Sequence, residues 1–207
     1  MLECVGFDPG GKRRFGWCVV KFDTDPLRIK GGVSDHAEAA LTAAQRELSG
    51  PPAAVGIDAP LFWTIGEDRA ADREVRKLVR AAGGHNGTVA HVNALRGACL
   101  VQGVLIARMA AETWPNAAIT EAHPKALLWV SADARTFNTN ELSRENEHTR
   151  DAALGALAAR AGVTGFRGWR DLTALERAPF FPGGRPVSYW FPMSGEPALV
   201  IHADKNV

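Results

Sequence analysis

The chain has 207 residues, 46% of them apolar, which suffices for one ordinary domain with a substantial core. Its 24 basic and 23 acidic side chains leave a formal charge of +1, so a nucleic-acid partner would have to be held by a local patch rather than by net charge. Cys4, Cys18 and Cys99 are odd in number and lack C-x-x-C spacing, which argues against a disulfide framework or a thiolate zinc site and fits a reducing cytosol.

In chain order, Leu2 to Asp8 and Phe15 to Phe22 are β-rich and flank a Gly/Lys/Arg turn, the pattern of an antiparallel hairpin. Asp23-Thr-Asp-Pro is turn chemistry, and Leu27 to Val33 reads as a third strand. From Asp35 to Leu48 alanines and leucines recur at helical spacing, with Ser34 or Asp35 as N-cap and Gly50-Pro51-Pro52 as a stop. Ala53 to Asp58 is a continuous apolar run suited to a buried parallel strand. A charged helix follows over Glu67 to Ala82, ended by Gly83-Gly84. Asn93 can cap a mostly apolar helix over Ala94 to Thr113. Ala117 to Glu121 is the fifth strand. Helices are expected at Pro124 to Val130, Ser143 to Ala161 and Trp169 to Arg177, then short β-like pieces at Val187 to Phe191 and Leu199 to His202. No repeat or linker divides the chain. The expectation is a single α/β domain over residues 1–207, with a Pro/Gly-rich extension from about residue 179. Its sheet is mixed and five-stranded, the first three strands antiparallel and the last two parallel, with helices flanking it.

No apolar stretch approaches the roughly 20 residues of a membrane span. The first residues lack the basic-then-apolar pattern of a signal peptide. A cytoplasmic protein without a membrane partner is expected, and a homodimer is left open.

Four carboxylates stand out against this frame. Asp8 ends the first strand, Asp58 the fourth and Glu121 the fifth, while Asp151 sits on the helix His148-Thr-Arg-Asp-Ala-Ala-Leu, three residues from His148 on the same face. Neighbouring parallel strands deliver their terminal residues to one sheet edge, where open α/β sheets place their sites. A cluster of carboxylates repels itself unless neutralised, and Mg²⁺ or Mn²⁺ does that with hard oxygen ligands. Two such ions about 4 Å apart can promote phosphodiester cleavage. Against this stands the reading of each acid as a turn-former or helix cap.

The segment Val5-Gly-Phe-Asp-Pro-Gly-Gly-Lys-Arg-Arg-Phe-Gly-Trp resembles the opening strand-turn-strand of RuvC and YqgF resolvases. With Gly56-Ile-Asp-Ala-Pro-Leu, Glu121-Ala-His-Pro and Asp151-Ala-Ala-Leu-Gly-Ala-Leu, the set is similar to the predicted RNase H-like nucleases gathered as domain of unknown function 429. The resemblance implies an RNase H-like fold, a metal-dependent nuclease activity with one or two Mg²⁺ or Mn²⁺ ions, and Asp8, Asp58, Glu121 and Asp151 as the acidic cluster. His148 falls where such enzymes often carry a further acid or a histidine, which makes it a ligand, a proton shuttle or only a surface residue. Two other functions stay open. One is a non-catalytic binding module on the same fold. The other is a nucleotide-binding hydrolase, because Gly6 to Lys12 satisfies G-x-x-x-x-G-K. Against the latter, residue 13 is Arg rather than Ser or Thr, and β-forming residues follow where a P-loop opens a helix.

For a nucleic-acid substrate, Arg69, Arg73, Arg76 and Arg80 are spaced to form one basic stripe, although Glu67, Asp68, Asp72 and Glu74 explain the pattern nearly as well by ion pairing. Lys12 and Arg13 beside Asp8 are a second phosphate-contact candidate, against which stands mere solubility of the hairpin turn, and Lys125 beyond Glu121 is a further substrate-binding candidate. Trp63 is a candidate wall for a base, with Trp17 and Trp129 read as core. His123 can act as a general acid, orient a water, or merely cap the helix that follows.

Overall fold

The computed structural model describes residues 2–62, 68–89 and 97–193. A five-stranded mixed sheet runs in the order β3-β2-β1-β4-β5, built from Glu3–Asp8 (β1), Phe15–Lys21 (β2), Arg28–Ser34 (β3), Ala54–Ile57 (β4) and Ala118–Glu121 (β5). β1 pairs antiparallel with β2 and parallel with β4; β2 pairs antiparallel with β3, and β4 parallel with β5. β1 and β4 are central and buried, which is why their sequences read as continuous apolar runs. β3 is the edge, and Arg28 and Lys30 keep it solvated. This α/β arrangement is compatible with an RNase H-like fold.

The helices are Ala37–Glu47 (α1), Ala70–Ala81 (α2), Gly97–Thr113 (α3), Pro124–Val130 (α4), Ala132–Glu141 (α5) and Glu147–Thr164 (α6). Among the described residues, none is long and apolar enough to cross a membrane. α6 lies against all five strands and is buried along most of its length. It comes that close because three strands present glycines beneath it. A Cβ on Gly6 would sit 1.6 Å from the Ala152 carbonyl oxygen, one on Gly56 1.9 Å from that of Gly155, and one on Gly16 2.2 Å from that of His148. Any side chain at these positions would lift the helix off the sheet.

Several boundaries differ from the sequence expectation for identifiable reasons. β3 continues to Ser34, which pairs with Phe15, and the Asp35 carboxylate accepts the Arg13 amide at 3.1 Å. The cap of α1 therefore passes to His36, whose Nδ1 accepts the Ala39 amide at 3.3 Å. α5 was not anticipated: its Thr and Asn residues are weak helix formers, but Ser131 caps it and Phe137 anchors it in the core. α6 starts at Glu147, not Ser143, under an Asn146 cap, and runs past Ala161 to a left-handed Gly165. The helix expected at Trp169 to Arg177 is instead strand β6 (Trp169–Asp171) followed by a 3₁₀ turn, Leu172–Leu175. Asp171 turns the chain there by accepting the Thr173 and Tyr189 amides, and β6 pairs with β7 (Trp190–Pro192). The strand expected at Val187 to Phe191 thus shifts to β7, while Ser188 bridges to Thr120 on β5. Trp17 packs against the core as expected, but Trp129 is 37% exposed. The Asn93 cap, the start of the helix expected from Ala94, and Leu199 to His202 lie outside the described residues.

Candidate metal centre

Register decides which acids meet. Gly6 on β1 pairs with Gly56 on β4, and both lie under α6. Side chains alternate between faces, so Asp8 and Asp58, each two residues further on, emerge on the α6 side of the same edge. Asp151, one turn into α6, acts on them electrostatically: the charges of Asp8 and Asp151 both raise Asp58, and that of Asp151 raises Asp8, although among the described residues these three do not bring ligand atoms within 4.8 Å of one another.

These carboxyls are far from their ordinary behaviour. Burial, assisted by the charges of Asp8 and Asp151 and opposed by His123 and Lys125, pushes Asp58 up to about 8. Asp8 rises to about 6, again mainly through burial, with Asp151 adding to the rise and His148 and Lys125 opposing it. Asp151 is raised by burial against the pull of Arg150, whose guanidinium meets Oδ1 at 3.0 Å. His148 Nδ1 stands 2.8 Å from Asp8 Oδ2. Asp58 is the least supported: among the described residues no hydrogen-bond donor reaches its carboxylate, and the nearest cationic atom, His123 Nδ1, is 4.0 Å away. Asp8 and Asp151 thus have one partner each and Asp58 none among the described residues, and a hard divalent cation drawn between them would relieve their mutual repulsion.

Glu121 departs from the expectation that four acids share one cluster. β5 pairs Ile57 with Glu121 and Gly56 with Thr120, so Glu121 shares the face of Ile57 and not the α6 face. The residue in line with Asp58 is Ala122, whose Cβ lies 3.9 Å from where a side chain on Gly155 would begin. Glu121 is fully buried and claimed by Arg69, itself only 2% exposed. Arg69 meets Glu121 Oε1 at 2.6 Å and Oε2 at 2.9 Å, and Asp72 at 2.7 and 2.8 Å. The Arg69 guanidinium also stacks on Phe62, 4.4 Å from the ring centre. Burial alone would raise the Glu121 carboxyl, but Arg69 outweighs it and holds the group down at about 2. His123 Nε2 lies 3.2 Å from Glu121 Oε1. Burial opposes a charge on His123, yet Glu121, Asp58 and Asp72 together raise its pKa. Asp72, Glu121 and His123 present ligand atoms within 4.8 Å of one another, as a metal site would. Arg69 already occupies that role.

The remaining expected residues scatter. Lys125, exposed at the start of α4, acts electrostatically on Asp8, Asp58 and Asp151. Lys12 and Arg13 lie in the exposed hairpin turn, where Arg13 adopts a left-handed φ of 59°. Arg13, Ser34, Asn146, Glu147 and His148 line an open groove of about 680 Å³ that reaches the Asp8 side of the centre through His148. The arginine stripe does not form: Arg69 turns inward, Arg76 pairs with Asp68, and Arg73 donates to the Asp68 carbonyl. Trp63 lies outside the described residues. Spacing gave no signal for Cys99, whose Sγ is 3.8 Å from the Asp58 carbonyl and whose thiol is pushed up to about 12 by burial and the neighbouring acids. The G-x-x-x-x-G-K segment is the end of β1 and a turn closed by the Arg14 amide on the Gly11 carbonyl; it opens β2 and not a helix.

No curated protein and no solved structure matches the chain. The family model described as "Protein of unknown function (DUF429)" matches residues 6–138, a span that holds Asp8, Asp58, Arg69, Glu121 and His123 and covers more than half of the sequence, so the chain belongs to that family.

Proposed function

We propose that the chain is a divalent-cation-dependent hydrolase of phosphodiester bonds that acts on nucleic acid, with Asp8, Asp58 and Asp151 holding Mg²⁺ or Mn²⁺. The observation that carries this reading is Asp58, a carboxylate pressed by two like charges with no donor on its oxygens among the described residues. A structural aspartate in such a setting would be capped or paired. The cation, when bound, supplies Lewis-acid stabilisation of the phosphoryl oxygens.

The chain's own groups divide the remaining work. His148 orients Asp8 through Nδ1 and leaves Nε2, 3.9 Å from Glu147, to exchange a proton. Lys125 offers a positive charge beside the carboxylates, and the groove under Arg13 gives a substrate strand a path to them. The test is cleavage of single-stranded, duplex, hybrid and branched nucleic acids with Mg²⁺ or Mn²⁺. Activity should disappear on chelation and fall at least about 100-fold in Asp58→Asn. Cleavage that survives both changes would refute the reading. Tight binding without cleavage would favour the non-catalytic module.

A further inference from the structure

The groove between the end of β3, the β1–β2 turn and the start of α6 holds about 680 Å³, within the range of sites that take a molecule of nucleotide size. Its lining is of two kinds. Val33, an aliphatic side chain left 38% exposed, and Ala39 of α1 give it an apolar face. Beside them stand polar groups whose bonding is incomplete. Among the described residues the Arg13 guanidinium meets no acceptor, although the Arg13 amide is tied to Asp35. Asp35 accepts that amide on Oδ1 at 3.1 Å, which leaves one lone-pair site there and both on Oδ2. Asn146, by contrast, has its side-chain amide committed to Thr149. Charge decides which side of a strand suits such a groove. Asp35 and Glu147 outnumber Arg13, so a run of phosphates along it would meet net negative charge. A nucleobase is uncharged, has an apolar ring face, and carries N–H donors on its edge for a carboxylate to accept. Among the four common bases guanine alone presents N–H donors on two adjacent atoms, N1 and N2, a match for the two oxygens of one carboxylate.

We propose that this groove is a subsite for one unpaired guanine of a nucleic-acid strand. Asp35 accepts N1–H and N2–H, Val33 and Ala39 lie against the ring face, and Arg13 takes the phosphate of the same nucleotide. The subsite deepens the nucleic-acid reading above and rests on it for the source of the base, but it needs no metal ion. His148 belongs both to the groove and, through Nδ1, to Asp8, so the base is held next to the sheet edge where that reading places cleavage. The base must be unpaired, because in a duplex the N1–H and N2–H edge of guanine is occupied by its partner base.

The experiment titrates wild type and Asp35→Asn with GMP, AMP, CMP and UMP in the presence of a chelator, with affinities from calorimetry and the site located by amide chemical shifts. In wild type GMP should bind at least about fivefold more tightly than each of the other three and should move the signals of Val33, Ala39 and His148. Asp35→Asn keeps an acceptor for the Arg13 amide but offers guanine one oxygen in place of two, so its affinity for GMP should fall to that of the other nucleotides while theirs is unchanged. Equal binding of all four by wild type, a guanine preference that survives in Asp35→Asn, shifts confined to residues outside the groove, or no binding at millimolar concentration would each overturn the inference. The wild-type ranking needs no variant, so misfolding of Asp35→Asn leaves the inference open to refutation. With no cation present, these outcomes are separate from whether Asp8, Asp58 and Asp151 hold a metal, which the cleavage assay with Mg²⁺ or Mn²⁺ decides.

Discussion

Substituting alanine at Gly56 should separate α6 from the sheet and pull the acidic centre apart. The new Cβ would lie 1.9 Å from the Gly155 carbonyl oxygen and 2.4 Å from its carbon, whereas 3.4 Å begins ordinary contact, so the backbones must part by about 3.4 − 1.9 = 1.5 Å. Both contacting atoms are backbone, and no side chain can rotate away. Overpacking of this kind costs about 1–3 kcal/mol, and more where the backbone cannot move. In a chain of this size that lowers the melting temperature by several degrees, on the order of 2–4 °C per kcal/mol. Asp151 rides on α6 while Asp58 rides on β4, so the same shift should weaken Mn²⁺ binding at least tenfold and any cleavage about 100-fold, the usual penalty for an ångström of misplacement. Circular-dichroism melting and Mn²⁺ titration check both limbs. Gly11→Ala, where an added Cβ meets nothing within 4 Å, is the control. A Gly56→Ala protein that melts within 2 °C of wild type (about the effect of 1 kcal/mol) and binds Mn²⁺ equally well would refute the close-packing account.

The metal-free protein should lose stability as pH rises from about 4 to 8. Asp58 and Asp8 have folded pKa values of about 8 and about 6 against 3.8 for the free group, so over this range the folded chain keeps protons that the unfolded chain has released. The raised pKa of His123 acts in the same direction, because its contribution is complete below its unfolded value and is lost as pH passes the folded one. Urea denaturation should show this fall, and saturating Mn²⁺ should flatten the slope. A slope of opposite sign would contradict the carboxylate cluster. Below pH 4.5 a separate loss should begin, as Glu121, held at about 2, is protonated and releases Arg69. Arg69→Ala should cost about 3–5 kcal/mol in urea denaturation, the range for stripping one partner from a buried ion pair, since it leaves Glu121 and Asp72 buried with their main cation gone. A cost below about 1 kcal/mol would show that the cluster is not held by Arg69.

The parts legible in the sequence were those governed by local pattern. Strands β1, β2 and β4 announce themselves as apolar runs, and Asp8 and Asp58 sit at ends that any α/β sheet brings to one edge. Asp151 was readable from the apolar residues around it on α6. Glu121 reads from the sequence as the end of a strand, but the face it takes is not legible there, because one residue of register reverses a side chain and only pairing with β4 reveals the offset. The inward turn of Arg69 is hidden for a related reason. Its spacing to Arg73, Arg76 and Arg80 fits a solvent stripe, yet it precedes the first turn of α2 and is free to turn inward to two buried acids. The glycines under α6 looked like interruptions of good strands. Their purpose depends on a helix about 90–150 residues away in sequence, which no local window contains.

The most direct test of the account is the anomalous difference density of crystals grown with Mn²⁺. A peak is expected on the α6 side of the sheet edge, about 2.1 Å from an Asp58 carboxylate oxygen and shared with Asp8 or Asp151, while Glu121 keeps both contacts to Arg69. A peak bounded by Asp72, Glu121 and His123 with Arg69 displaced, or no peak beside Asp58 at saturating Mn²⁺, would contradict it.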